Sequence, residues 1–329
     1  MWNRRVQNVR GECSTQKSVG PPAGWKILDL VHKKIHNVNF FVNKIKMYHA
    51  AAGASSFHRV KHPGCSQPRK LCTSQTGESM MTTVQPYQPG IWLTERVFPD
   101  EGFAVRGALI LGSARAVVWD SLAHPQDMQP LLPLIGSRPL TVVYSHADWD
   151  HAWGTAGLPY EQVIGHAVCR QRFASDVPAT LQTKQTEQPG VWDAVQLIPP
   201  STVFEERYTL ELGGVTLELH SLPGHTYDCI VGLLPERGIL LAGDTVETPL
   251  PVLEPDSPRL RWIDSLAAWQ TDPRVRRVIP AHGPIGGFEL IEATITYLRD
   301  LPNSTVPDDL DAFYRETHAT NVAYVKRGF

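Results

Sequence analysis

The run Leu140-Thr141-Val142-Val143-Tyr144-Ser145 is apolar and β-branched, and His146-Ala147-Asp148-Trp149-Asp150-His151 follows it at once. Four side chains able to ligate a metal therefore fall within six residues, just past an expected strand end. Loops at such ends present functional groups from a rigid base. Imidazole and carboxylate suit borderline and hard divalent ions, and several on one tight loop can reach two ions a few ångströms apart. Three later places have the same form: Leu219–Leu222 runs into Pro223-Gly224-His225-Thr226, Gly238–Ala242 into Gly243-Asp244-Thr245, and Val278–Ala281 into His282-Gly283. Each is a largely apolar run ending in one His or Asp flanked by glycine, which allows a tight turn and close backbone approach.

In order, His146-x-Asp148-x-Asp150-His151, Gly224-His225-Thr226, Gly243-Asp244-Thr245 and His282-Gly283 resemble the motif series of the metallo-β-lactamase superfamily. The resemblance spans roughly residues 86–300. It implies an α/β fold, the αββα four-layer sandwich, with the metals at one edge of the two sheets. It also implies that His146, Asp148 and His225 hold a first ion, that Asp150, His151 and His282 hold a second, and that Asp244 bridges them. The departure is Asp148, where the family usually has His. A carboxylate there is similar to the flavodiiron branch, which has Glu and binds iron. The expected cofactors are two divalent metal ions, zinc first, with Fe or Mn favoured by the added carboxylate. The alternative is an Asp148 that points outward and leaves one tight site.

A metal of this kind lowers the pKa of bound water to about 7, so a metal-bound hydroxide is the expected nucleophile. Asp150 is placed to ligate one ion, orient the hydroxide and carry a proton to the leaving group. Tyr227, two residues past His225, is a candidate donor to the oxyanion, with a structural tyrosine as the competing reading. Asp120, ending Ala116-Val117-Val118-Trp119, reads as a hydrogen-bonding support of the metal loop. Trp149 reads equally as pocket wall or as packing. His124, His166, His220 and His318 read as structural, and Cys229 as a small buried residue. No GxSxG, GxxxxGK[ST] or strand-linked GxGxxG occurs, so those mechanisms find no support.

By the resemblance, Asp244 is similar to the bridging aspartate of the glyoxalase II and lactonase branches. A small-molecule substrate follows: a carboxylic ester, lactone or thioester. The alternatives are a flavodiiron-like di-iron redox protein, or a β-lactam or phosphodiester hydrolase on the same fold. The redox reading is weakened because the chain has no room for a flavodoxin domain. The segment Thr245–Pro258, with Pro249, Pro251, Pro255 and Pro258, is expected at the pocket rim.

The elements that must hold these residues lie in the later three-quarters of the chain. Among 329 residues, 42 % are hydrophobic and 19 % charged, an ordinary globular balance. The net charge of -2 hides an asymmetry: residues 1–80 carry 13 Lys and Arg against 3 Asp and Glu, and residues 81–329 carry 18 against 30. Residues 1–80 read as a basic, mostly disordered extension, apart from an amphipathic pattern over 27–49. Targeting, membrane-surface or nonspecific nucleic-acid contacts are compatible with its charge. Residues 81–302 read as the catalytic domain and 303–329 as a C-terminal helical tail. The acidic body argues against specific nucleic-acid binding. No apolar run of about 18 residues suggests a transmembrane helix. Five cysteines without a CxxC pair fit a reducing compartment, and the expected location is cytoplasmic. The oligomeric state is left open.

The periodicity predicts strands over 91–98, 103–111, 114–120, 140–145, 162–165, 208–212, 215–222, 230–234, 238–242 and 275–280. It predicts helices over 125–135, 167–173, 260–270, 288–301 and 307–324.

Overall fold

A computed structural model describes residues 82–99, 101–306 and 309–327. The extension expected over 1–80 lies outside the described residues. Strands β1 (Thr83–Gln88), β2 (Ile91–Phe98), β3 (Phe103–Leu111), β4 (Ala116–Trp119), β5 (Leu140–Val143), β6 (Gln162–His166) and β7 (Thr202–Phe204) form one sheet in sequential order. Its first four strands are antiparallel, and β4 to β7 run parallel. A second sheet has the order β12-β11-β10-β9-β8, built from β8 (Arg207–Glu211), β9 (Thr216–Ser221), β10 (Ile230–Leu234), β11 (Ile239–Gly243) and β12 (Arg277–Pro280). Five principal helices accompany them among the described residues: α1 (Ala167–Phe173), α2 (Val177–Glu187), α3 (Arg259–Gln270), α4 (Phe288–Asp300) and α5 (Ala312–Lys326).

The layers follow from which face each strand residue takes. Along β4, Ala116 and Val118 join a core with Met128, Leu131, Trp153 and Phe173, on the helical side of the first sheet. Their neighbours Val117 and Trp119 join Leu217, Leu219, Leu241 and Ile279 between the two sheets. This is the period-two alternation of a strand buried on both faces. The outer face of the second sheet, through Val231, Leu240 and Val278, packs on Trp262 and Leu266 of α3 and on Ile291, Ile295 and Leu298 of α4. Helix, sheet, sheet, helix is thus the αββα sandwich the resemblance implied.

The sequence pattern missed some elements. β1 and β7 were not expected, because exposed polar residues and short length hide their period. The mostly polar α2 was also missed. The helix expected over 125–135 is a 3-10 segment Pro125–Leu131 followed by one α-turn Leu132–Ile135, and Pro130 inside it accounts for the break. The last helix begins at Ala312, where the Asp311 side chain caps it by accepting from Tyr314 N. Among the described residues, no helix is long and apolar enough to cross a membrane.

Candidate metal centre

The C-terminal ends of β5, β9, β11 and β12 meet at one edge of the sandwich. Backbone hydrogen bonds hold them there: Ile230 N donates to Ser145 O at 2.9 Å, and Ala281 N to Gly243 O at 3.0 Å. Gly243 has φ +51, and a Cβ on it would lie 2.8 Å from Ser145 Cβ, so glycine lets β11 reach the His146 loop. Gly224 is pressed against the indole of Trp262, where a Cβ would meet Nε1 at 2.7 Å. The glycines beside Asp244 and His225 therefore set the distance between strand end and centre.

Three overlapping groups of ligand atoms result: His146, Asp148 and His225; Asp150, His151 and His282; and His146, His151 and Asp244, which joins the other two. In the first, Asp148 Oδ2 lies 3.1 Å from His225 Nε2 and 3.4 Å from His146 Nε2, with Asp244 Oδ2 3.7 Å from His146 Nε2. In the second, Asp150 Oδ2 lies 3.7 Å from His151 Nε2 and 3.6 Å from His282 Nε2. Asp244 Oδ1 stands 3.3 Å and 3.4 Å from the same two nitrogens. Ligand atoms about 2.1 Å from a tetrahedral ion stand about 3.4 Å apart. The spacings are thus those of atoms sharing an ion. His146 Nε2, His151 Nε2 and Asp244 Oδ1 are also buried without any hydrogen-bond partner. Buried polar atoms are rarely left so, and three orphans facing one another fit a cation between them.

The rest of each ring is fixed from behind. His151 Nδ1 donates to Asp120 Oδ2 at 3.0 Å, His225 Nδ1 to Val252 O at 2.9 Å, and His282 Nδ1 to Ala104 O at 2.7 Å. These bonds leave the Nε2 lone pairs facing inward, as metal-ligating histidines require. Ser145 Oγ lies 3.0 Å from His146 Nδ1. Asp120 also accepts from Ser145 N at 2.7 Å. It sits at φ +56, a left-handed position unusual outside glycine. Burial opposes charge on His225, but the hydrogen bond and charge of Asp148, with Asp244 beyond, push it up to about 10. Burial likewise opposes charge on His282, and Asp244 raises it to about 9. Asp244 is held well below the carboxylate range, against burial, by His151, His282 and His146.

Asp148 does not point outward. Its Oδ1 accepts from Arg172 Nη2 at 2.7 Å while its Oδ2 faces His146 and His225. Arg172 also binds Asp176 at 3.0 Å and the buried Asp228 at 3.1 Å. Asp228 in turn accepts from Ala147 N at 2.8 Å and so anchors the loop between His146 and Asp148. Sequence reasoning missed both groups. Arg172 lies on a separate helix with no spacing signal, whereas Asp228, three residues after His225, was an acid adjoining a motif and could have been considered.

A cavity of about 490 Å³ opens in front of these residues. Phe103, Trp149, Trp153 and Phe313 give it an apolar side, and Tyr227, 44 % exposed, stands at its wall. Trp149 makes edge contacts with Phe98 and Phe103, so it both packs and lines. From the proline-rich segment, Val252, Glu254 and Asp256 reach the cavity. Glu247 lies deeper, accepting from Tyr314 Oη at 3.1 Å and Val252 N at 3.2 Å; burial pushes it up to about 7. Helix α5 thus closes one side of the site, through Tyr314 and Phe313, which the sequence did not suggest. His124 stacks on Trp192, His166 caps α1, and His220 and His318 pack on Trp269 and Tyr297. None of these four enters a ligand group among the described residues. Cys229 is buried, and burial raises its thiol.

An αββα sandwich with paired His and Asp groups at the sheet edge defines a class of metal-binding folds. The chain belongs to the metallo-beta-lactamase superfamily, whose family model matches residues 103–291. A hydroxyacylglutathione hydrolase from Anaeromyxobacter dehalogenans is 29 % identical over 132 residues, covering 38 % of this chain and 41 % of the relative. A human acyl-coenzyme A thioesterase is 26 % identical over 178 residues, covering 47 % and 62 %. The chain therefore spans under two thirds of the length of either relative. Among solved structures, a metallo-beta-lactamase from Pontibacter korlensis superposes with a TM-score of 0.52 at 20 % identity, over 67 % of this chain and 100 % of that one. The FIM-1 enzyme of Pseudomonas aeruginosa, in a mono-zinc form, gives 0.54 at 20 % identity, over 68 % and 97 %. These structural likenesses establish the fold.

Proposed function

We propose that the chain is a dinuclear metal-dependent hydrolase of a small carboxylic ester, lactone or thioester. The observation that carries this reading is the pair of ligand groups joined through Asp244, with buried Nε2 and Oδ atoms left unpartnered between them. His146, Asp148 and His225 would hold one ion, Asp150, His151 and His282 the other, and Asp244 both. When bound, such ions supply Lewis acidity toward a carbonyl oxygen and toward water at neutral pH. Asp150, buried and lining the cavity, would orient the attacking water and pass its proton to the leaving group. Tyr227 offers its O–H to the developing oxyanion from the cavity wall. Phe103, Trp149 and Phe313 exclude bulk water and receive the apolar part of the substrate.

Relatives named as a hydroxyacylglutathione hydrolase and an acyl-coenzyme A thioesterase support the acyl class over phosphodiesters. Zinc is the first expectation for the metal. Asp148 brings the carboxylates of the whole site to three, with Asp150 and Asp244, a donor set that also suits Fe or Mn.

The test is metal analysis of full-length protein together with a hydrolysis panel of lactones, thioesters, aryl esters, β-lactams and phosphodiesters, with Asp150→Ala as control. Close to two ions per chain and acyl turnover lost in the variant are expected. Fewer than half an ion per chain after metal-replete expression, or phosphodiester turnover well above every acyl substrate, overturns the reading.

A further inference from the structure

Apart from the ligand histidines, two basic side chains line the cavity among the described residues, Arg172 and Lys184, and they differ in how they are partnered. Arg172 is spent on Asp148, Asp176 and Asp228. Lys184, on α2, has no ion pair with a described carboxylate. Its Nζ lies instead 3.6 Å from the ring centroid of Trp149 and 4.8 Å from that of Trp192. The two indoles stand edge to face, 5.4 Å apart at 89°, and make a corner that holds the ammonium in place. Val177, Thr180, Lys184 and Glu187 all line the cavity. Their spacing of three and four puts them on one face of α2, so the helix presents Lys184 to the cavity.

The ammonium is poorly compensated where it sits. Burial lowers it to about 8, and Asp150, Glu101 and Glu187 only partly pull it back. Aromatic faces attract a cation, but they bring no opposite charge. The choice of lysine is also unusual in this part of the chain, which from residue 81 onward has sixteen arginines and two lysines, Lys184 and Lys326. A lysine is a compact point charge with rotatable donors, suited to one small anion, whereas arginine would be drawn into a planar fork with the nearby acids.

We propose that Lys184 is the anion subsite of the cavity. The ligand class is a monoanionic carboxylate borne on an apolar acyl or aryl group that lies against Phe103, Trp149 and Phe313. The acidic wall formed by Asp176, Glu187, Glu254 and Asp256 favours a single negative charge over a phosphate dianion. As a statement about the substrate, the inference rests on the hydrolase reading above. As a statement about binding, it stands alone.

The test has two arms, both on the full chain loaded with zinc, with melting temperature and metal content recorded for every variant. In the binding arm, tryptophan fluorescence follows titration with 4-phenylbutyrate and with its neutral counterpart 4-phenylbutyramide. The unsubstituted protein should prefer the carboxylate at least ten-fold. Lys184→Gln should bring that ratio below two-fold, and Lys184→Arg should keep part of it. A preference that survives in Lys184→Gln places the carboxylate on the metals and overturns the proposal; so does an absence of preference in the unsubstituted chain. In the kinetic arm, the 4-nitrophenyl monoester of glutaric acid is compared with 4-nitrophenyl pentanoate. Lys184→Gln should lower the ratio of kcat/KM, anionic over neutral, at least ten-fold, mainly through KM. If both esters are hydrolysed and the ratio does not move, the subsite is wrong while the hydrolase reading stands. If neither is hydrolysed but the binding ratio depends on Lys184, the hydrolase reading fails while the subsite stands.

Discussion

Arg172 Nη2 lies 2.7 Å from Asp148 Oδ1, and Asp148 Oδ2 lies 3.1 Å from His225 Nε2, so one carboxylate joins a buried arginine to the first ligand group. The arginine therefore fixes which oxygen of Asp148 faces the site. It also neutralises Asp228, whose side chain is fully buried.

Removing that arginine should be costly. Arg172→Leu leaves Asp228 buried without its cation, and breaking a buried pair from one side costs about 3–5 kcal/mol. Its melting temperature should fall well below that of the unsubstituted chain, and its first-site metal should be lost before the second. The pH dependence follows from Asp228. Burial raises its pKa, but Arg172 and His146 outweigh that, and the net shift is downward. A lowered folded pKa gives stability that is fully present above the unfolded value of about 3.9 and is lost as pH falls through the folded value. The deficit of Arg172→Leu should thus be largest while Asp228 is ionised in both proteins and shrink as pH falls through the raised pKa that burial gives Asp228 in the variant, in thermal melts of metal-free protein. A deficit independent of pH would show that Arg172 acts by packing alone.

The ligand groups were legible in the sequence because each lies at the end of an apolar run, where strand period and glycine mark the turn. The positions of Arg172, Lys184 and Phe313 were not. Arg172 and Lys184 sit on helices between β6 and β7, and only the parallel crossover brings that face over the His146 loop. Helix α2 carries mostly Thr, Gln and Lys, so its period gave no apolar stripe to read. Phe313 lies on the last helix, and nothing local says that this helix returns to the cavity. Asp120 was readable as a support because it ends β4 beside β5, and its bond to His151 matches that expectation.

Asp120→Asn should retain the backbone, since Asn tolerates the left-handed conformation at φ +56. With Oδ1 still accepting from Ser145 N, the amide Nδ2 faces His151 Nδ1, so the acceptor behind that ring and its charge are both lost. Loss of such a partner behind a metal-ligating histidine typically lowers affinity or activity about 10–100-fold. Competition with a chromophoric chelator should show that loss on the second ion, with little change in melting temperature of the metal-free protein. Unchanged affinity would remove Asp120 from the site's support.

Asn321 is buried on α5 and pins the cavity wall: Nδ2 donates to Pro251 O at 2.7 Å, and Oδ1 accepts from Leu253 N at 3.0 Å. Asn321→Ala leaves these backbone groups without partners, at about 1–3 kcal/mol. For a domain of this size that is a drop of several degrees, at about 2–4 °C per kcal/mol. KM should rise more than kcat falls, because Val252 and Glu254 line the cavity, while the ligand His225 is held from this segment by Val252 O and Ser257 Oγ. A normal melting temperature with normal kinetics would show that α5 does not hold the wall.

A chain beginning at Met81 should keep both its melting temperature and its metal content. The described residues supply three cores that join the four layers, and every proposed ligand lies between His146 and His282. Insolubility or loss of metal in that shortened chain would make the basic extension part of the fold.

The exchange Asp148→His puts the commoner family ligand at position 148, and on ligand count alone it should strengthen zinc binding. The surroundings of Asp148 argue for the opposite. Arg172 would lose one of its three carboxylates and would stand beside an imidazole that offers it no anion. Charge in that buried corner would rise by one, close to where a dication must sit, and like charges at this range disfavour binding. Asp148→His alone should therefore hold first-site zinc more weakly than the unsubstituted chain. Neutralising the arginine as well, in Asp148→His with Arg172→Gln, should recover affinity relative to Asp148→His, because the excess charge is removed while a second nitrogen ligand is kept. The two changes share a contact, so their effects should be non-additive. Zinc dissociation constants for the four proteins of this cycle, by chelator competition at one pH and ionic strength, measure the coupling directly. Tighter zinc binding by Asp148→His alone, with additive effects across the cycle, would show that Arg172 does not govern the choice of carboxylate at position 148.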